Sequence, residues 1–586
     1  MDDLFKKAEE HFNKGEFDEA ASILEPLCQQ ENIALQALML SAHVAQSQKS
    51  YFKAQDYIKR ALALSPNNSG AHYLAAIIYA KSDDVGNSIK EYEAVIALQP
   101  DHFRSLCNLG LALTKRGSLS KAAELYKRAL TVNPDDETTK INLGFNMFYQ
   151  GKSRDAVKYW RKAFEESPDN LTILINILLG MHYDTNITSE EIFLEHKKLG
   201  EKLAVKFQGE AEKIRLDSDF DKRKIRVGYL SQDFRTHSVA YFLEGILYSH
   251  DRSRFEIFCY SNSRTCDDTT MRFKGFDSIW RDTADFTDEE LDACIRKDKI
   301  DILVDLGGCT CPRIQIFARR PAPVQVTYLG YVNTTGLKTM DYLFSDEIAD
   351  PPGSERFHSE KIARLKGCSL CYAPLVDAIE PAIPPALKNG YMTFGSFNNY
   401  AKMNDEVIET WVEILKTAPN SRLIIKNKSM NDNGVRIAIC EQFKQLGIES
   451  DRVELLGYAH TPVSHMSIYN YIDVALDTFP FNGVTTTCES LWMGVPVITL
   501  MGDRYSSRIA ASILTAVSMK PFIAQSRKEY VAKAVFQTQN LEMLSQLRKN
   551  LRPLMASSNL CDIQGTTAQI EEFYISFLKE RRDFGG

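Results

Sequence analysis

The chain has 586 residues, of which 44% are apolar and 25% charged, with a formal net charge of −7. That length exceeds one hydrophobic core and predicts about three domains. The acidic balance and the lack of a long basic run argue against nucleic-acid binding, and the longest apolar stretch, near Leu171–Met181, is too short to span a bilayer.

The N-terminal stretch is charged and helical in pattern, without a secretory apolar region. From there to about residue 170 the sequence is periodic. Pro66, Pro100, Pro134 and Pro168 are spaced by 34 residues, and so are Ala20, Ala54, Ser88, Ala122 and Ala156. A 34-residue period with Gly, a small residue, Ala and Pro in fixed order is the tetratricopeptide pattern. Small residues let paired antiparallel helices approach, and Pro closes each unit. Five repeats are predicted over 1–170, forming an α-helical superhelix. Its concave face suits an extended peptide or a protein partner, and such an array leaves room for oligomerisation. Asn108 and Asn142 share one phase of the first helices, where side-chain amides suit a bound peptide backbone. Asn also occurs at that position for packing alone.

Residues 171–223 keep a helical pattern without the period and read as a capping and linking segment, ending in the charged run DSDFDKRK. Short apolar strands then alternate with helices. The first set comprises 225–231, 255–261, 300–308, 324–331 and 340–346. The second comprises 391–397, 421–428, 452–458, 473–478 and 495–500. Alternation of this kind predicts two doubly wound parallel sheets, over 224–385 and 386–560, followed by a helix within 561–586 that crosses back to the first half. Ligands of such sheets sit at the carboxyl ends of the strands.

The stretch Asp473–Thr499, DVALDTFPFNGVTTTCESLWMGVPVIT, contains strand, small-residue loop and helix start in succession. Orphan N–H groups and the helix dipole there favour an anion. Thr485, Thr486 and Thr487 offer hydroxyls to a diphosphate, and Glu489 one turn on suits a ribose. An ordinary capped helix is the competing reading. Lys402 follows the strand at 391–397 and suits the charge of a leaving diphosphate, with Asn398 and Asn399 beside it. His237 follows the strand at 225–231 as a base or sugar contact, and His465 is placed to stack on a nucleobase. Arg319, Arg320 and the turn LGYVNTTG are expected to face the cleft, Gly330 allowing close approach of backbone to ligand. Twelve cysteines show no framework spacing. Cys368 and Cys371 form a lone C-x-x-C that no histidine cluster completes, so no metal is expected and a reducing, cytoplasmic setting fits.

The motifs VGYLSQDFRTHSVAYF, RRPAPVQVTYLGYVNTTG, TFGSFNNYAKM and DTFPFNGVTTTCESLWMGVPVITL, in this order behind a repeat array, resemble those of the tetratricopeptide-bearing protein O-glycosyltransferases. That family includes O-linked GlcNAc transferase, plant SPINDLY and bacterial relatives. The resemblance implies a GT-B fold and metal-independent, inverting transfer of a sugar from a nucleotide donor to Ser or Thr of a protein. It implies roles for His237 near sugar and acceptor, Lys402 and Asn399 at the diphosphate, His465 on the base, Thr485 and Thr486 at the diphosphate, and Glu489 on the ribose. UDP-GlcNAc is the favoured donor. Val484 stands where the animal GlcNAc enzymes have His, and Val332 where they have Pro. The segments FGSFNN, TTTCES and NTTG look more like SPINDLY, which implies GDP-fucose. Flagellin glycosyltransferases with nonulosonic acid donors are a third branch. A reading of another class is a repeat scaffold without catalysis.

Overall fold

The computed structural model describes residues 2–29, 34–210, 216–217, 219–311, 313–374, 379–459 and 461–584. The chain forms two compact units. One comprises the residues up to Gln150 together with Ser429–Ile437, and the other Gly151–Lys428 with the chain from Ala438 onward.

The first unit is helical. Its helices pair in sequence, from Asp2–Asn13 with Phe17–Leu27 to Phe103–Arg116 with Leu119–Val132, then Glu137–Tyr149. The residues of the 34-residue phase lie where helices touch: Ala20, Ala54, Ser88 and Ala122 have no exposed surface. At Gly110 the reason for a small residue is direct, since a Cβ there would stand 2.6 Å from the Tyr126 ring. Local chemistry sets the helix ends. Asn68, Asp84 and Asp136 each accept a backbone N–H in the first turn of the helix that follows. Gly117 closes Phe103–Arg116 at φ 91°, which Gly adopts without strain.

The second unit opens with helix Ser153–Glu166, then Leu171–Met181 and Ser189–Lys206, the last begun by a capping box of Thr188 and Glu191. Two parallel sheets follow. The first holds β1 (Ile225–Ser231), β2 (Phe255–Ser261), β3 (Ile279–Asp282), β4 (Ile302–Asp305), β5 (Val324–Thr327), β6 (Tyr342–Asp346) and β7 (Lys361–Leu365), in the order β3-β2-β1-β4-β5-β6-β7. The second holds β8 (Met392–Ser396), β9 (Ser421–Lys426), β10 (Val453–Leu456), β11 (Val474–Leu476), β12 (Val497–Leu500) and β13 (Ile523–Ala524), in the order β10-β9-β8-β11-β12-β13. Every strand pair among the described residues is parallel.

Strands β3, β7 and β13 escaped the sequence reading. All three are sheet edges, where only one neighbour is paired and a continuous apolar run is not required. The strand expected over 324–331 stops at Thr327, because the chain turns there and Leu329 takes a left-handed conformation, φ 54°.

The first sheet is covered on both faces. Val227, Tyr229, Ile257, Ile302, Val304 and Val326 point to one core, which is completed by Ile570, Tyr574, Phe577 and Leu578 of helix Ile563–Phe584. Leu230, Phe258, Tyr260 and Leu303 point to the other, completed by Leu174, Leu178, Leu199 and Leu203 of the two connecting helices. The final helix thus returns from the second sheet to the first, as the pattern predicted.

Candidate active site

The loop between β11 and helix Thr485–Trp492 is built around one carboxylate. Asp477 is 1% exposed. Its Oδ1 accepts from Gly483 N at 2.7 Å, Thr478 N at 2.9 Å and Asn398 Nδ2 at 3.2 Å, and its Oδ2 accepts from Thr499 Oγ1 on β12 at 2.7 Å. Burial pushes this carboxyl up to about 6, against the pull of those donors and of Lys402. The loop is therefore folded back on the strand end, and its outer rim is left for something else. Gly483 has no room for a Cβ, which would meet Thr486 Oγ1 at 2.5 Å.

The helix that follows starts without a side-chain cap, because Val484 at the N-cap carries no acceptor. The N–H groups of the first turn and the dipole then point at the loop rim. Thr485 and Thr486 are half-buried there. Thr486 Oγ1 donates to Asn398 Oδ1 at 3.0 Å. Thr487 differs from the sequence expectation: it is buried, and its hydroxyl donates to Gly483 O at 2.9 Å, so it is committed to the loop itself.

Lys402 reaches the same rim from the turn after β8. Its Nζ donates to Asn482 O at 2.7 Å and lies 4.2 Å from the centre of the Phe481 ring. Burial pushes the ammonium down to about 8, with Asp477 holding it up. Asn399, its predicted partner, is exposed and caps the short turn through Ala401 N. Its neighbour Asn398 is the buried residue that ties β8 to the loop.

Glu489, one turn into the helix, is 4% exposed and accepts from His465 Nε2 at 2.9 Å and Tyr469 OH at 3.1 Å. Lys426, at the end of β9, bonds the other ring nitrogen of His465. That pairing makes Nδ1 the acceptor and Nε2–H the donor to Glu489. Burial pushes Lys426 down to about 8, with Glu489 opposing. The hydroxyls of Tyr469 and of Tyr241 and Tyr372 from the first half are all raised by burial and by the Glu489 charge, so the first half approaches this carboxylate. Lys402, His465, Thr485, Thr486 and Glu489 are thus gathered on the carboxyl-end loops of the second sheet.

His237 lies at the carboxyl end of β1 and is partly exposed. Its Nδ1 is 3.6 Å from Asp233 and accepts from Val239 N at 3.3 Å. Desolvation lowers its pKa, while Asp233 raises it. Asn108 and Asn142 lie in the first unit, both half-buried. Asn108 bonds the Tyr92 hydroxyl of the preceding repeat.

Three expectations are corrected. Gly330 lacks a Cβ because the chain itself comes close: a Cβ would stand 1.7 Å from Leu306 O. Gly336 meets His196 O in the same way, at 2.0 Å. Arg319 and Arg320 precede β5 and so lie at the amino end of the sheet. Arg320 pairs with Asp341 at 2.8 Å, and Arg319 pairs with Glu210 and Glu289 and covers Phe207. The NTTG turn is a buried brace, with Thr334 Oγ1 donating to Glu360 at 2.6 Å and Thr335 N at 2.7 Å.

Asp477, Lys426 and Phe481 are site residues that the sequence did not single out, and Asn398 was placed beside Lys402 without a role of its own. One signal was present. A buried strand ending in Asp recurs in each half: Asp305 at the end of β4 accepts from Gly307 N, Gly308 N and Thr327 on the next strand, as Asp477 does from Gly483 N and Thr499.

The family model of glycosyl transferase family 41 matches residues 190–370 and 385–570, more than half of the chain. The chain belongs to glycosyl transferase family 41. Tetratricopeptide repeat models match residues 69–102 and 103–136. Among its relatives, the rice SPINDLY protein, described as a probable UDP-N-acetylglucosamine–peptide N-acetylglucosaminyltransferase, is 42% identical over 357 residues, 60% of this chain and 38% of its own. SEC of Arabidopsis thaliana, described in the same terms, is 32% identical over 370 residues, 61% of this chain and 37% of its own. The chain thus spans about four tenths of the length of these relatives. A lysine-to-methionine variant of Thermobaculum terrenum O-GlcNAc transferase superposes with a TM-score of 0.82 at 32% identity, covering 88% of this chain and 98% of that one. The helical array followed by two parallel sheets is accordingly the GT-B arrangement. Among the described residues no helix is long and apolar enough to cross a membrane, and no group of three or more His, Cys, Asp or Glu side chains is placed to hold a metal ion.

Proposed function

We propose that the chain is an inverting protein O-glycosyltransferase that moves a sugar from a nucleotide-sugar donor to Ser or Thr of a protein. The observation that carries this is the Lys402 ammonium seated on the Asn482 carbonyl, at the rim of a loop whose helix begins uncapped at Val484. A diphosphate entering there meets a cation, open N–H groups and the Thr485 and Thr486 hydroxyls. In a direct displacement the acceptor hydroxyl attacks the anomeric carbon, the bond to the diphosphate breaks, and negative charge grows on the leaving oxygen. Lys402 and the helix start act on that charge, which is larger in the transition state than in the bound donor. His237, across the cleft, is assigned to sugar and acceptor, with its lowered pKa leaving a neutral imidazole to take the hydroxyl proton. Glu489 and His465 hold the nucleoside, and Asn399 lies beside the diphosphate. No metal is assigned. The array, with Asn108 and Asn142 on its first helices, is assigned to an extended acceptor or partner, and the setting to the cytoplasm.

UDP-GlcNAc is the favoured donor, in line with the descriptions of the relatives. GDP-fucose is the second reading, favoured by the higher identity to SPINDLY than to SEC and by Val484 in the loop. Two measurements test these assignments. Lys402→Ala is expected to lower turnover by about 100-fold or more while the melting temperature holds. Near-normal turnover would end the assignment. In a thermal-shift series with UDP, GDP and CMP, the matching nucleotide is expected to raise Tm, and to raise it further with the logarithm of its concentration above Kd. A shift with GDP alone would replace UDP-GlcNAc by GDP-fucose, and a shift with none would remove the nucleoside site.

A further inference from the structure

The Lys402 ammonium rests on a ring, and that ring rests on the connecting helices rather than on the sheet. Phe481 carries Lys402 Nζ on one side, and the Tyr183 ring stacks on Phe481 with centroids 4.9 Å apart and planes 26° apart. His182 meets Phe481 edge-on at 6.2 Å. Both residues follow directly on helix Leu171–Met181. His182 is itself fixed, fully buried, with Nε2 3.2 Å from Tyr331 OH, which also bonds His196 at 2.6 Å.

The turn that bears Lys402 is held from the same side. Arg154, in helix Ser153–Glu166, donates to Asp184 at 2.8 Å and to Glu406 at 2.8 Å, and Thr185 Oγ1 donates to the same Glu406 oxygen at 2.8 Å. Asn404 donates to Phe479 O at 2.7 Å, closing the turn onto the segment that carries Phe481. At Gly151, φ 75°, a Cβ would meet the Tyr400 ring at 3.2 Å, so the start of this helix is fitted to the turn as well. A lysine side chain has four rotatable bonds and a large rotamer entropy. Fixing it needs contacts on more than one side, and residues 151–185 supply one of them.

We propose that Tyr183, through its stack on Phe481, is a positioning residue for Lys402, so that the helices joining the repeats to the first sheet are a working part of the active site. The inference rests on the function proposed for Lys402. Electrostatics agrees with the geometry, since the dry ring surface below Lys402 contributes to the burial that lowers its pKa.

The test uses the full chain and two readouts. The first needs no substrate: amine modification of Lys402 at a series of pH values, followed by peptide mass mapping, gives its titration directly. In the wild type Lys402 is expected to titrate near 8. In Tyr183→Ala water reaches the ring and the titration is expected to rise by about one unit or more toward the ordinary lysine value. Tyr183→Phe keeps the ring and is expected to restore the wild-type curve. The second readout is release of nucleoside diphosphate from UDP-GlcNAc and from GDP-fucose. With the donor that turns over, Tyr183→Ala is expected to lose about tenfold or more in kcat, with donor KM changed by about threefold or less. An unchanged Lys402 titration in Tyr183→Ala overturns the proposal. So does a loss that Tyr183→Phe shares. The two readings fail separately: active Lys402→Ala removes the function assigned to the lysine, whereas inactive Lys402→Ala with an unshifted Tyr183→Ala removes only the positioning role.

Discussion

Asp477 shows how one side chain sets both a loop and its pH response. Four donors converge on its two oxygens, yet burial still raises its pKa to about 6 from an ordinary value of 3.8. Between those two values the folded chain binds the proton more tightly than the unfolded chain. The slope of unfolding free energy with pH is then negative, so this group's contribution falls as pH rises from about 4 to 6 and stays low above. Asp477→Asn removes that dependence and also places an NH₂ where only acceptors are wanted, so the variant is less stable at every pH. The wild-type advantage is expected to be largest near pH 4 and to shrink by on the order of 2 kcal/mol by pH 6.5. Parallel stability curves for the two proteins between pH 4 and 7.5 would refute this. Lys402 runs in the same direction but in activity and at higher pH: with its pKa near 8, the ammonium needed at the diphosphate is lost above that pH.

At the scale of elements, what was legible in the sequence followed from periodicity and from chain order. The 34-residue phase is a packing constraint, and Ala20, Ala54 and Ser88 meet it with no exposed surface. The apolar runs Val227–Leu230 of β1 and Ile257–Tyr260 of β2 mark strands covered on both faces. Edge strands need no such mark: β10 was still legible, but β3 with its half-exposed Ile-Trp-Arg sequence was not. In the site, the threonines and Lys402 were legible because their chemistry is local to a loop after a strand. Asn398 was not separable from Asn399, since one residue of shift along a turn decides which side chain is buried. The glycines of LGYVNTTG misled in a physical way. A glycine reports that some backbone comes close, but not whose, and here the visitors are Leu306 and His196. Phe481 and Tyr183 were out of reach, because their contact joins positions about 300 residues apart and neither residue type has a charge or motif to betray it.

Within the second unit the chain closes on itself through its last helix, and this sets a limit on where it can be cut. Helix Ile563–Phe584 follows the second sheet in sequence but completes the core of the first. Phe577 stacks on Tyr342 with centroids 3.6 Å apart, and Tyr574 OH lies 3.1 Å from Tyr229 OH. Glu571 accepts from His250 Nδ1 and from Asp251 N, both at 2.9 Å, and Glu580 accepts from Tyr342 OH at 2.6 Å. Ile570, Tyr574, Phe577 and Leu578 are at most 4% exposed. At roughly 1.5–3 kcal/mol for each large apolar side chain buried, these four alone stabilise by about 6–12 kcal/mol, which is the size of a whole domain's net stability. Removing the helix also bares the apolar sides of β1, β4 and β5. A chain ending at Asp562 is therefore expected to lose the first sheet while β8–β12 keep their own core. In hydrogen-exchange mass spectrometry, the segments 225–231, 302–305 and 324–327 of that truncation are expected to exchange orders of magnitude faster than in the full chain, with 392–396 and 474–476 still protected. A synthetic 563–584 peptide added in excess is expected to restore protection to the first group. A soluble truncation that protects 225–231 as the full chain does would show that the two halves fold without this return, and the last helix would then be an accessory to the sheet rather than part of its core.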